Sequence, residues 1–309
     1  MVGAEGTEPA PALDRTISLG FEVDPVLTLG PLRHGPHDPT VRLERGVVWR
    51  ASRTADGPAS LRLAPTREGW RVMAWGTGAE RAFAALPRLL GSEDDPAALR
   101  LPPGPLRELL RRFTGLRFGR SDDIMGSLVP AIIEQKVTGL EAQHAYRALV
   151  LRYGEPAPGP SGLHLPPAAT TIAALPYFEM HPLGIEQRRA ITLVRAAERA
   201  TWLQEAVGLA SGAALARLRA IPGVGTWTAA ETARSALGDP DAVSLGDFHT
   251  PHLVCWALAG ETRGDDDRML GLLEPYRGQR ARLVRILELS GIVPPRFGPR
   301  RPVSSIAGM

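Results

Sequence analysis

Residues 215–229, LARLRAIPGVGTWTA, constrain the chain more tightly than any other stretch. Leu215 and Leu218 lie three apart, the spacing that puts two apolar side chains on one helix face. Ile221-Pro222-Gly223-Val224-Gly225 then turns the backbone sharply, because glycine reaches angles closed to other residues. Thr226 stands where a helix cap is expected, with a second helix opening at Trp227. Backbone N–H groups of the turn face outward beside a helix N-terminus, so a phosphate fits there without any basic side chain. Val224, between the glycines, is placed to tuck inward and lock the turn to the core.

The rest of the chain divides around this feature. Residues 1–13 are rich in Gly, Pro, Ala and Glu and read as a flexible tail. Alternation of Ile17, Leu19, Phe21 and Val23 predicts a half-buried strand. Residues 41–49, with a turn or bulge at Gly46, then 61–63 and 70–74, predict further antiparallel strands. A helix at 79–91 completes a β-rich domain over 14–100. After the stiff LPPGP linker at 101–105, the pattern over 105–293 is helical almost throughout. Pro105 suits a first turn, Ser121 a cap, and Thr138 with Glu141 a capping box. Later helices are expected near 186–199, 212–219, 227–237, 248–259, 266–272 and 279–290. Residues 294–309, with Arg296, Arg300 and Arg301, read as a second flexible tail. The expected class is α+β: an N-terminal antiparallel β-rich domain followed by an all-helical one.

Composition removes several alternatives. No apolar run among the 309 residues reaches the ~20 needed to span a bilayer. Met1 to Leu13 lack the basic start and apolar core of a signal peptide, so a cytoplasmic location is expected. Cys255 is the only cysteine, which excludes an internal disulfide and any site built on several thiolates. The net charge of +3 is compatible with a polyanionic partner. Of 36 basic residues only Lys136 is lysine, and asparagine is absent. Both use A-rich codons, so the arginine excess reads as a GC-rich genome rather than as phosphate binding.

The 215–229 segment resembles the helix-hairpin-helix of the base-excision DNA glycosylase superfamily: apolar residue, Pro, Gly, apolar residue, Gly, then Thr-Ala on the next helix. Gly-Thr-Trp-Thr-Ala looks like the alkyl-purine branch, similar to 3-methyladenine DNA glycosylase II. The resemblance implies a two-lobed helical domain with the hairpin at 212–237 and an active site in the cleft between lobes. It implies a catalytic aspartate some 20 residues past the hairpin, and Asp247 stands 20 positions after Trp227. An Asp opening a helix is also a standard cap, and both roles are compatible. Asp239, Asp241 and the run 265–267 read as turn and cap residues.

The resemblance further implies the division of labour. Gly223, Val224, Gly225, Thr226 and Thr228 would meet DNA, with Gln135 and Lys136 in the segment that enters the gap left by a flipped base. Arg188 and Arg189, at a helix start, could touch phosphate. Trp227, Glu231 and Tyr276 are candidates for the base pocket. Glu231 departs from the aromatic residue usual in relatives. It would either favour cationic bases or pair with an arginine. Lys136 replaces an apolar wedge. Members that cut the strand carry a lysine where this chain has Trp227, so a monofunctional enzyme acting on damaged duplex DNA is expected. His249 and His252 are read as surface or core residues. No cofactor is expected beyond a monovalent cation at hairpin carbonyls near Ile221 and Val224, and the chain is expected to be a monomer. The competing expectations are a non-catalytic DNA-structure or abasic-site binding protein, and a lyase using Lys136.

Overall fold

The computed structural model describes residues 10–295. Strands β1 (Leu13–Ile17), β2 (Val41–Glu44), β3 (Val47–Thr54), β4 (Gly57–Thr66) and β5 (Gly69–Trp75) form an antiparallel sheet ordered β1-β5-β4-β3-β2. Register follows from side-chain alternation: Leu61 faces Ala74 and Leu63 faces Val72, so all four turn into the same core. Helix α2 (Ala79–Leu89) covers that face with Ala82, Leu86 and Leu89. A short helix α1 (Pro25–Leu29), capped by the Asp24 carboxylate, adds Leu29.

Beyond the sheet the chain is helical, apart from a two-residue pairing of β6 (Glu155–Pro156) with β7 (His164–Leu165). The helices are α3 (Pro105–Arg111), α4 (Ile124–Ile133), α5 (Gly139–Tyr153), α6 (Ala169–Ala174), α7 (Tyr177–Met180), α8 (Gln187–Glu198), α9 (Ala200–Gln204), α10 (Ser211–Arg219), α11 (Thr226–Thr232), α12 (Thr250–Ala259), α13 (Asp266–Leu273) and α14 (Arg280–Leu289). A π-helical turn, Ala233–Leu237, extends α11. One apolar core gathers α4 to α11 around Ile132, Leu149, Leu193 and Leu218. A second gathers α3 and α12 to α14 around Leu109, Val254, Leu273 and Leu283. These are two lobes, and the chain crosses between them after the π-turn.

Several local expectations need correction. The first strand lies at Leu13–Ile17, not 17–23; Leu13 is buried against the sheet, and Leu19, Phe21 and Val23 pack on the core from irregular backbone. Residues 1–9 and 296–309, including Arg296, Arg300 and Arg301, fall outside the described residues. Asp123, not Ser121, caps α4, because its carboxylate reaches the Gly126 amide at 2.8 Å. The Thr138–Glu141 capping box is formed. The tract 155–185 contributes α6 and α7, whose short length gives little periodic signal.

The β-rich part is tied to the second lobe by a buried ion pair between Arg282 on α14 and Asp94 in the loop after α2. Arg282 also donates to the Gln279 carboxamide and stands over the Phe118 ring, while Asp94 accepts the Phe118 amide at 2.9 Å. Removing one partner strands the other charge in the interior. We expect Asp94→Ala to destabilise the chain by about 3–5 kcal/mol in urea unfolding.

Candidate active site

The turn between α10 and α11 is built as a rigid corner. Ile221 and Val224 are buried in the first-lobe core, and the Val224 amide donates to the Ile221 carbonyl at 2.9 Å. Gly223 has φ 103°, and a Cβ there would meet the Thr192 hydroxyl of α8 at 2.2 Å, so glycine is required twice over. Gly225 differs. Its φ is −89°, and a Cβ would meet nothing within 4 Å. Its bareness serves no packing need and leaves the backbone open to a ligand's close approach. Thr226 is the first residue of α11 rather than its cap; Gly225 holds the cap position and no side chain caps the helix. The first-turn amides, which no helical carbonyl can reach, therefore face outward.

Gln135 braces this corner from the loop after α4. Its side-chain amide donates to the Gly223 carbonyl at 3.0 Å and to the Thr228 hydroxyl at 2.9 Å. Thr228 is buried, so it supports the hairpin from within. Next to it, exposed Lys136 has φ 58°, a left-handed conformation that a non-glycine residue holds at a cost of about 1–3 kcal/mol. Arg189, read as a solvated helix start, is buried, and donates to the carbonyls of Ile133 and Gly184 at 2.6 and 3.1 Å. It thereby satisfies the end of α4.

Asp247 sits half-buried where the chain enters α12. Gly246, with φ 86°, turns the backbone just before it, and its amide is held by Asp266 at 2.8 Å. One carboxylate oxygen accepts the His249 and Thr250 amides, both at 2.7 Å, and the Thr250 hydroxyl at 2.9 Å. The other accepts the Trp227 indole N–H at 3.3 Å. Trp227 belongs to α11 of the first lobe, whereas α12 belongs to the second, so this bond crosses the lobe boundary. Burial opposes ionisation of Asp247. The bonds from Thr250, His249 and Trp227 outweigh it and hold the carboxyl below the usual range. The site thus holds a poised anion, with one oxygen committed to the helix and the other facing the hairpin.

Glu231, one turn beyond Trp227, accepts from Arg234 at 2.5 Å and from the Ser244 hydroxyl. Of the two roles left open for it, pairing with an arginine is the one formed. Burial works against the charge on Arg234, but Glu231, Glu288 and Asp247 more than compensate and hold the guanidinium above its ordinary value. Glu231 and Arg234 open onto a cavity of about 160 Å³ that also contacts Leu29, Phe118, Ser235 and Arg285. Tyr276 packs against the second-lobe core, and among the described residues no hydrogen bond or ring contact links it to Asp247 or Glu231.

Sequence reasoning missed Arg234, Ser244 and Arg285. The only cues were Arg234 three residues after Glu231 and Ser244 three before Asp247; Arg285 comes from distant α14 and left none. The other acids have structural duties. Asp241 pairs with Arg280 at 2.5 Å, Asp239 accepts the Asp241 amide, and Asp265 caps α13. Among the described residues no group of His, Cys, Asp or Glu could hold a metal ion. No helix among them is long and apolar enough to cross a membrane.

No family profile matches the chain. The probable bifunctional transcriptional activator/DNA repair enzyme AlkA of Mycobacterium tuberculosis is 33% identical over 173 residues, covering 54% of this chain and 34% of the relative. The chain spans about a third of the length of the curated relatives it matches. A solved 3-methyladenine DNA glycosylase from Archaeoglobus fulgidus superposes with a TM-score of 0.74 at 22% identity, covering 90% of this chain and 98% of that one. The Clostridium acetobutylicum 8-oxoguanine glycosylase/lyase bound to duplex DNA gives 0.65 at 12% identity, covering 91% and 94%. Schizosaccharomyces pombe 3-methyladenine DNA glycosylase with abasic DNA gives 0.51 at 18%, covering 62% and 92%. The chain has the fold of the helix-hairpin-helix DNA glycosylases: an antiparallel sheet followed by two helical lobes.

The two hairpin glycines should separate experimentally. Gly223→Ala should lose more than about 1 kcal/mol of stability. Gly225→Ala should stay within about 0.5 kcal/mol of the parent. Asp247 gives a pH signature. Its folded pKa lies below the unfolded value of about 3.9, so its stabilising effect is complete above that value and fades as pH falls through the lowered one. The stability gap between the parent and Asp247→Asn, followed by urea unfolding, should therefore narrow in acid.

Proposed function

We propose that the chain is a monofunctional DNA glycosylase that hydrolyses the N-glycosidic bond of 3- or 7-alkylated purines in duplex DNA. The observation that carries this reading is the half-buried, ionised Asp247 facing hairpin residue Trp227 across the lobe boundary. The names of the relatives and of the DNA-bound neighbours support it.

A base stacked in a duplex is out of reach, so the nucleotide must be flipped into the cleft, at a cost of a few kcal/mol. The open amides at Gly225 and Thr226 grip the strand beside it, and Lys136 enters the gap. The Ile221 and Gly223 carbonyls each accept one hydrogen bond, from Val224 and Gln135, and the lone pair each keeps would help to hold a monovalent cation. An alkylated purine carries positive charge. When the bond from C1′ to the base nitrogen breaks, its electron pair goes to the base, which leaves neutral without a general acid. Cation character then develops on the sugar, and Asp247 stabilises it through space. Water adds to C1′ and gives up a proton to Asp247 or to solvent, leaving an abasic site. Trp227 occupies the position at which a lyase would carry its amine, so no Schiff base with the sugar forms there.

The test is release of free base from methylated duplex DNA. Asp247→Asn should slow release by at least about 100-fold while binding persists. Release at the parent rate in that variant removes Asp247 from the mechanism. Tight binding by the parent chain with no release from any lesion indicates a binding protein instead. Borohydride trapping of a covalent adduct contradicts the monofunctional assignment.

A further inference from the structure

We propose that the exposed face of α8 is a second DNA-backbone contact, a phosphate track continuous with the hairpin and built on Arg188 and Arg195. The inference rests on the reading of the chain as a duplex-DNA enzyme and extends it to a surface outside the cleft.

The track begins at the hairpin itself. Gly223 lies so close to Thr192 of α8 that no side chain fits between them. Beside that contact opens a groove of about 330 Å³ lined by Gln187, Arg188, Ile191, Thr192, Arg195 and Gly223. The groove thus adjoins the hairpin directly, through Gly223.

The chemistry of the groove suits a nucleic-acid backbone. Arginines elsewhere are largely engaged: Arg234 with Glu231, Arg280 with Asp241, Arg282 with Asp94, and Arg189, on the same helix, with two carbonyls. The side chains of Arg188 and Arg195 are exposed, and no hydrogen bond or ion pair is recorded for either among the described residues. Between them Ile191 is 41% exposed, an apolar surface that fits a deoxyribose. Glu198 ends the helix one turn beyond Arg195, and no ion pair between the two is found among the described residues. Seven residues of helix put the Cα atoms of Arg188 and Arg195 about 10.5 Å apart along the axis, far enough for each long side chain to meet a different phosphate of one strand. Codon bias accounts for arginine in place of lysine. It does not account for two unneutralised guanidinium groups flanking an apolar residue beside the hairpin.

Each phosphate contact releases counterions, so the salt dependence of binding counts contacts. The experiment titrates a duplex carrying a stable abasic analogue with the full chain at several salt concentrations. The double variant Arg188→Ala/Arg195→Ala should lower the slope of log affinity against log salt by about 1.8, about 0.9 per contact. Arg188→Lys/Arg195→Lys should keep the slope, because a phosphate accepts either cation. Arg67→Ala, in the exposed turn between β4 and β5, should leave it unchanged, and thermal melting checks that each variant folds. A folded double alanine variant with the parent slope overturns the track and leaves the hairpin reading intact. A lysine variant that loses the slope also overturns it. A parent chain whose duplex binding has no salt dependence overturns the track and the proposed function together.

Discussion

The bond from the Trp227 indole to the Asp247 carboxylate joins the two halves of the candidate site. It links the helix after the hairpin to the loop that opens α12, and so links two separate apolar cores. Geometry on both sides is imposed before the bond forms. On one side, buried Ile221 and Val224 and the tight fit of Gly223 against Thr192 set the angle of α11. On the other, the amides of His249 and Thr250 hold the carboxylate at the mouth of α12. A single anion is therefore held at the lobe boundary, facing the helix that follows the hairpin.

Around that bond the polar groups form a connected set. Glu231 ties Ser244, three residues before Asp247, back to Arg234 on the π-turn of the other lobe. Asp266 holds the Gly246 amide, which sets the approach of the chain to Asp247. Gln135 ties the Lys136 loop to the hairpin. A network in which each member has a partner resists rearrangement. That rigidity suits the proposed role, in which stabilisation of charge must exist before the charge develops.

The hairpin was legible because its signal is local: two glycines, two apolar anchors and a helix on either side lie within fifteen residues. Asp247 was legible only through spacing to that hairpin, since an acid before a helix is equally a cap, and here it is bonded as one. Thr226 and Thr228 show the limit of local reading. The first was expected to cap and instead begins the helix; the second was expected to face DNA and is buried. Helix phase decides both, because successive residues are turned about 100° from one another, which puts Thr226 and Thr228 on different sides of α11. Arg189 misled for a related reason, because the carbonyls it satisfies come from Ile133 and Gly184, and only the fold brings Ile133 near. The cavity beside Glu231 was not legible, since its walls come from α1, the 116–119 loop, α11 and α14. Within the sheet, alternation located β2 to β5, but it misplaced β1, whose pairing with β5 depends on a partner more than fifty residues away.

The central claim is that Asp247 is complementary to a positively charged sugar at the hairpin. The most direct measurement compares the affinity of the chain for two duplexes. One carries a cationic azasugar at the lesion position; the other carries its neutral tetrahydrofuran counterpart. Complementarity to the transition state predicts a preference of at least about 100-fold for the cation, lost when Asp247 is replaced by asparagine. Equal affinity for the two duplexes would contradict the account.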